Sequence, residues 1–548
     1  MAGLIENSFG LGTSPQVWLF SDFNLYNQFR QIGYPAYLSL LRQARLERIR
    51  QARLLHDGRH WRLFLFEQRT QFDFPTVLAN GRLTPLYVPY NLCKLISIVS
   101  ANLLFGAQPS IKVAPPDPAN SAPDAATPDP DAEPVIDIAQ QIQEQKLGAL
   151  VDRTAFHRLL YHTALEASVD GEAFLESCIE NGQVYLKRVD AADIFPEGKI
   201  QPDGQYKSYV KYNARDISPD PAKPDWRLLV TRYLPGQITR EVKALDNKGI
   251  IMPRVLTLNE WPQEDPEDGP LDPVTNTGIK ANTITYVPNL LVRDFPVSDY
   301  DGLVEQQDAL NAKETQIARV LAKHSDPKLA ASAHSATPDG ALPTNHDVYF
   351  FRTKDEIPQY LTWNAELASA MSERDQARSA MLLMSQTSPL LLGLREGAQS
   401  SHNAYKSVRI ETTASLTKAQ AKALIWKPSI RRMLSVCQDL EQTLPGERYD
   451  RRPLAIEMQD GLPIDTDALA SEIAKYRGCG SMSVKRSVEL QISDPQARAA
   501  ELAALAAEKA AAPSMQQAPP TTPGDTGGGE IAPGEEDVEQ DESVEVAA

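Results

Sequence analysis

Apolar positions recur at two different periods along this chain, and the change of period marks out its organisation. Residues 36–56 set Leu38, Leu41, Leu46 and Ile49 among arginines at helical spacing, and 86–106 and 138–168 carry further helical tracts. From about 170 to 297 the period falls to two. "DGEAFLESCIENGQVYLKRVDAADIFPE" predicts two strands around an Asn181–Gly182 turn, the strongest short hairpin signal. "RLLVTRYL", "REVKAL" and "ITYVPNLLVRDF" continue as strands, interrupted by the acidic, Pro-rich "EWPQEDPEDGPLD". The helical period returns over 298–324, where Ser298 is the expected N-cap, Asp299 lies in the first turn, and Leu303, Leu310 and Ile317 recur every seven residues. Such a stripe is narrow, and it is expected to pack against helices of neighbouring subunits. A compact segment at 326–362, with a strand signal in "DVYFFR", precedes a helix over 364–387 bearing Leu367, Met371, Ala377, Met381 and Met384. A long helix then starts near Ala404 and is expected to end or kink at Pro428.

Between the last two helices lies "TSPLLLGLREGAQSSHN", residues 387–403, which joins three consecutive leucines to a run of Gly and Ser. Two other segments lack the apolar content to fold. Residues 114–136 are rich in Pro, Ala and Asp, and 513–548 hold nine acids, no base and few bulky apolar residues. The chain has 548 residues and a net charge of −17, and it stays acidic without that tail. This argues against tight non-specific DNA binding, which needs many phosphate-neutralising bases, but not against a surface past which DNA slides. No signal peptide is legible in the first twenty residues, and the apolar run at 95–107 is too short to span a bilayer, so no membrane is expected. Cys93, Cys178, Cys437 and Cys479 stand far apart, as free and mostly buried thiols of a reducing compartment would.

Motifs with catalytic chemistry are missing from the sequence. There is no GxxxxGK[ST] loop, GxSxG elbow, HExxH helix or paired Cys ligand set. His56 and His60 flank a "DGR" turn, and His157 and His162 are five apart, off a common helix face, so neither pair suits a metal. Asp190/Asp193 and Asp299/Asp301 stand where turns and helix starts want acids. No catalytic residue, metal or cofactor is expected. The one locally basic element is 404–434, with Lys406, Arg409, Lys418, Lys422, Lys427, Arg431 and Arg432 against Glu411. Of these Lys406, Arg409, Lys418 and Lys422 form a candidate face for DNA or for a neighbouring subunit, although a solvated helix face explains them as well.

Taken in order, "YVPYNLCKLISIVSANLLFGAQPSI", the hairpin segment quoted above, "YVPNLLVRDFPVSDYDGLVEQQDALN", "SQTSPLLLGLREGAQSSHNAYKSVRIETTASLTKAQAK" and "LASEIAKYRGCGSMSVKRSVELQISDPQARAAELAALAAE" resemble the portal, or head–tail connector, proteins of tailed bacteriophages. The likeness spans about 80–511 and rests on the order of the pieces. It implies an α+β portal fold: an N-terminal segment and α/β wing over 1–297 with an insert at 114–136, stem helices at 298–325 and 363–388, and a small α/β clip at 326–362. A tunnel loop at 389–404, a wing helix at 405–447, a helical crown at 448–511 and a disordered acidic tail at 512–548 complete it. Leu303, Leu310, Ile317, Leu367, Met371 and Met381 would pack the stem. Leu390, Leu391, Leu392, Gly393, Leu394, Arg395 and Gly397 would face DNA.

The resemblance further implies a structural ring of about twelve subunits at one capsid vertex of a virion, assembled in the host cytoplasm. It would conduct double-stranded DNA without sequence specificity in packaging and ejection. Its partners would be the terminase large subunit, a head–tail adaptor, and the major capsid and scaffolding proteins. On this reading the leucines touch DNA with little directional bonding, and Arg395 beside Glu396 keeps the local charge near zero. The alternative for the leucines is that they finish the stem helix and pack on the wing. Alternatives for the whole chain are a nuclease or hydrolase with its site in the β-rich block, and a monomeric scaffold.

Overall fold

The computed structural model describes residues 37–60, 63–64, 75–77, 83–85, 88–113, 138–218, 220, 223–247, 249–262, 271–324, 328–330, 359–361, 367–394, 405–445, 449–459, 461–462, 466–479, 481–491, 498 and 501–506. It is a mixed α+β chain that divides into two compact units, Met1–Pro463 and Ile464–Ala548.

In chain order the first unit contains α1 (Leu40–His56), β1 (Pro75–Val77), β2 (Leu83–Pro85), α2 (Leu92–Phe105), β3 (Ser110–Val113), α3 (Ile138–Arg153) and α4 (Phe156–Asp170). The β-rich block follows as β4 (Glu172–Glu180), β5 (Gln183–Val189), β6 (Ile194–Ile200), β7 (Tyr206–Asp216), β8 (Trp226–Leu234), β9 (Gln237–Leu245), β10 (Ile251–Val255), β11 (Val274–Asn276), β12 (Ile284–Pro288), β13 (Leu290–Val292) and β14 (Phe295–Val297). Then come α5 (Val304–His324), β15 (Lys328–Ala330), β16 (Gln359–Leu361), α6 (Leu367–Met384), α7 (Tyr405–Glu411), α8 (Thr413–Glu441) and β17 (Leu454–Glu457). The second unit holds α9 (Thr466–Gly478) and α10 (Val484–Gln491), with Ile473 and Val488 buried.

Two antiparallel sheets, β12-β4-β5 and β10-β9-β8-β7-β6, form the centre of the first unit, β11 also pairing with β9. The Asn181–Gly182 turn closes β4 on β5 with φ of 50° and 72°, as its sequence predicts. Strand alternation then sorts β4. Ala173, Leu175 and Ser177 face helices α2, α4 and α8, while Phe174 meets Tyr209, Tyr233 and Tyr286 between the sheets. Helix α1 lies across the sheets and is tied to them by arginines. Arg42 donates to Tyr212 and Glu197, Arg45 to Glu172 and the Ala191 carbonyl, and Arg53 to both Asp170 and Asp190.

Several expectations shift at the element ends. Ser298 does not cap α5, which begins at Val304; its hydroxyl instead bonds the carbonyls of Ser168 and Val169. Pro428 does not end α8, which runs through it to Glu441. The proline lies on the exposed side of the helix, and Leu424, whose carbonyl loses its amide partner, is exposed as well. Residues 454–457 are not part of a helical crown but a strand paired with β3, so the expected boundary at 448 moves past Pro463. Of 326–362, the described residues are the short antiparallel pair β15–β16; "DVYFFR" lies outside them, as do 114–136 and the acidic tail.

The largest correction concerns the heptad stripe. Leu303, Leu310 and Ile317 are buried within this one chain, Leu303 and Leu310 against Leu92, Cys93 and Ile96 of α2 and Met381 of α6. Met381 is buried with the stripe, so none of these four is left for a neighbour; of the other two expected packing residues, Leu367 is half-buried and Met371 exposed. A second stripe on α5 is polar and equally buried. Gln307 and Asn311 bond the backbone of Tyr90, and Thr315 accepts from the Val88 amide. Asn311 also donates to His60 Nδ1, whose Nε2 reaches the Leu55 carbonyl, so this ring is a buried structural histidine.

Two outcomes follow. Leu310→Ala should cost about 2–5 kcal/mol of folding stability, read as a lowered urea midpoint, because it empties a filled core position. An unchanged midpoint would contradict that packing. Burial lowers the His60 pKa from 6.5, so its neutral-ring contribution is complete above that value and is lost as pH falls below it. Wild type should therefore lose more stability between pH 7.5 and 5.5 than His60→Asn does; equal losses would place His60 in solvent.

Candidate functional site

The stretch after α6 is built as two consecutive caps. Helix α6 ends with Gln386 in the left-handed region (φ 57°), where the Thr387 amide bonds the Leu382 carbonyl and the Gln386 amide bonds that of Leu383. This closure normally falls to glycine, so Gln386 holds a conformation that costs about 1 kcal/mol. Pro389–Leu392 then form one 3-10 turn, capped by the Ser388 hydroxyl at its start and by Gly393 (φ 70°) at its end. A proline at 393 is incompatible with that φ.

The leucines turn back onto the body. Leu391 and Leu392 pack against Val99, Leu103, Leu416 and Ala419, and Leu392 and Leu394 also touch the cluster at the base of α5 and α6. Leu390, Leu391, Leu392 and Leu394 are all half-buried, and Gly393 is exposed. Arg395 and Gly397 lie outside the described residues. The packing alternative therefore accounts for much of the leucine run.

Helix α8 fixes this segment from below. The Ser388 amide donates to Ser415 Oγ (2.8 Å), which in turn donates to the Gln386 carbonyl (2.9 Å). Lys418 Nζ donates to the Ser385 carbonyl (2.9 Å) and reaches Asp299 Oδ1 (3.0 Å). Lys422 Nζ lies 2.5 Å from Asp299 Oδ2 and 2.5 Å from Ser100 Oγ. Asn289 donates to Asp299 Oδ1 (3.1 Å) and Ser168 to Oδ2 (2.5 Å). Since Ser168 spends its one proton there, it accepts from Ser97, which accepts from Tyr300, giving a chain of hydroxyls that ends on the carboxylate. Gly171 lets the end of α4 come this close, because a Cβ there would meet the Ser298 nitrogen and the Val297 carbonyl carbon at 3.0 Å.

Burial alone would raise the Asp299 pKa, but Lys422 and then Lys418 hold it well below the usual carboxylate range. Burial lowers Lys422 to about 8, against the pull of Asp299. The side chains of Lys418 and Lys422 are only 12% and 1% exposed. Neither belongs to a surface for DNA or a neighbouring subunit. The expected basic face thus loses both, drawn inward by an acid the sequence placed in a helix cap. Arg409 is half-buried, and the Lys406 side chain lies outside the described residues.

Ser100 beside Lys422 has the spacing of a Ser–Lys nucleophile pair. Yet Lys422 is held by Asp299, and the adjoining cavity, lined by Ile96, Ser100, Thr387, Ser415 and Lys418, measures about 10 Å³, room for one water. A larger cleft of about 500 Å³ lies between α1, α4 and the end of β5. Its Arg53 is bound by Asp170 and Asp190, and its Arg188 by Glu166, so its charges cross-link α1 and α4 to the sheet edge. Burial pushes Glu166 up to about 7. Among the described residues no group of three or more His, Cys, Asp or Glu is placed to hold a metal, and no helix is long and apolar enough to cross a membrane.

Asp299→Asn should remove the anion that Lys418 and Lys422 share and cost about 3–5 kcal/mol, as breaking one side of a buried pair does. Chemical denaturation checks this, and a loss below about 1 kcal/mol would mean the cluster is solvated. The Asp299 contribution should be complete above pH 3.8 and vanish as pH falls through its depressed folded value.

No family model and no curated protein matches the chain. Among solved structures it is similar to a chain in the virion of the native gene transfer agent (GTA) particle, at 11% identity and a TM-score of 0.38, over 73% of this chain and 87% of that one. It is also similar to a chain in the neck of the empty GTA particle, at 12% identity and a TM-score of 0.40, over 76% and 97%.

Proposed function

We propose that the chain is the ring-forming subunit of a tailed-phage portal, standing at one capsid vertex of a virion. About twelve copies would enclose a channel through which double-stranded DNA passes in packaging and ejection. In this reading α5 and α6 are the stem, 326–362 the clip, the two sheets with α8 the wing, 464–511 the crown, and 389–404 the loop nearest DNA. The terminase large subunit and a head–tail adaptor would dock on the ring, and the major capsid and scaffolding proteins would surround it. The chain would be structural, without a catalytic site.

One observation carries the reading: two long helices leave and re-enter the body at a single point, and the chain emerging from the second turns at once onto the wing helix. The helices run antiparallel, with Lys313 on Glu373 (2.7 Å) and Arg374 near Glu314 (3.6 Å). A second feature fits a ring. Leu383 (80% exposed), Met384, Ile410 and Leu424 (75% exposed) leave α6, α7 and α8 with large apolar side chains in solvent. Neighbouring subunits would cover them.

Native mass measurement of the full chain should give a closed ring, and negative-stain images a central hole. Leu383→Asp and Leu424→Asp, both at exposed positions, should shift rings toward monomers while leaving the unfolding free energy of the monomer within about 0.5 kcal/mol of wild type. A wild-type chain that stays monomeric at micromolar concentration, alone and with capsid or scaffolding protein, would overturn the portal reading.

A further inference from the structure

The two lysines on Asp299 have different jobs. We propose that Lys418 is a positioning residue: it latches the exit of α6 to Asp299, fixing the path of residues 385–394 over α8, while Lys422 secures the core. The functional weight of the latch rests on the portal reading, in which this segment leads to the channel loop; the latch itself does not.

The division follows from where each bond goes. Lys422 spends its reach on Asp299 Oδ2 and Ser100, both inside the body. Lys418 spends its reach on Asp299 Oδ1 and on the Ser385 carbonyl, which belongs to the segment that must be steered. Without Lys418, Oδ1 keeps Asn289 and Oδ2 keeps Lys422 and Ser168, so the carboxylate remains paired and bonded. The Ser385 carbonyl has no such reserve, since at the end of α6 no following turn supplies an amide to it.

The steered segment also needs holding. Gln386 sits in a costly conformation, and its leucines are only half-buried. A water-sized cavity lies beside Lys418, Thr387 and Ser415, so the segment is not closely packed at that point. Asp299 lies just ahead of α5, and Ser385 just past α6. Lys418 therefore joins the two stem bases, so a shift of either is felt at the start of the loop.

Hydrogen–deuterium exchange on the full chain tests this. In Lys418→Met, peptides covering 385–394 should exchange about tenfold faster, the change expected from losing one hydrogen bond to a charged group. Peptides from α2, α4 and the rest of α8 should match wild type, and Lys418→Arg should restore slow exchange. Unchanged exchange at 385–394, equal acceleration across α2, α4 and α8, or no recovery with arginine would overturn the latch. If the chain never forms a ring, the portal reading falls and the exchange result stands; intact rings with unaltered exchange sink the latch alone.

Discussion

A single buried carboxylate organises the place where this molecule changes from sheets to long helices. Asp299 receives bonds from Ser168 at the end of α4, Asn289 at the base of the β13–β14 hairpin, and Lys418 and Lys422 on α8. A bare carboxylate in that position would be forbidding, and its burial is tolerated because both oxygens are paired and hydrogen-bonded. The requirement runs outward. For Asp299 to be satisfied, α4 must end at Gly171, the hairpin must close beneath it, and α8 must pass with Lys418 and Lys422 turned inward. The direction of α5, the return of α6 and the first turns of the following segment are set from this point.

Apolar burial and polar ties divide the remaining work. The clusters on either face of the β12-β4-β5 sheet supply most of the non-directional stabilisation, with Trp426 and Phe105 edge to face at one end and the Phe174–Tyr209–Tyr286 group at the other. Such surfaces tolerate sliding. The Gln307–Asn311–Thr315 stripe does not, since each side chain bonds one backbone group of the segment at 88–90, and a shift of one residue would leave all of them unpaired. The arginines of α1 act likewise, because each fork reaches a different carboxylate or carbonyl.

What could be seen in the sequence follows from which of these forces left a local pattern. The period-two block, the Asn181–Gly182 hairpin and the helices around 40–56, 92–105 and 304–324 were legible because alternation, turn chemistry and helical spacing are local. The fate of Leu310 was not, since a stripe looks the same whether a neighbouring helix comes from this chain or another. Ser298 and Asp299 resembled a helix start, which hid a buried ion pair whose partners lie more than a hundred residues away. Nothing near Lys418 or Lys422 distinguishes them from solvated bases. The end of α6 was masked in another way: Gln386 occupies a position where glycine would have announced the turn. Lys422 stands on the buried face of α8, but that face is defined by strands and helices distant in sequence.

Under the portal reading, the inward turn of these bases bears on how an acidic chain conducts nucleic acid. Phosphate affinity rises with each lysine or arginine free to displace counterions, and a strong grip would stall a polymer that has to move. Here Arg45, Arg50, Arg53, Lys418 and Lys422 are engaged by Glu172, Glu47, Asp170 and Asp299 inside the fold. All but the Arg50–Glu47 pair, which lies within α1, cross-link separate elements, and each pair withdraws a site from the surface. The segment after α6 continues the same economy of charge: its described part, residues 385–394, has no charged side chain and is held in place by Lys418 from behind. Under the portal reading, the base that steers the loop is thus kept out of reach of the phosphates the loop would meet.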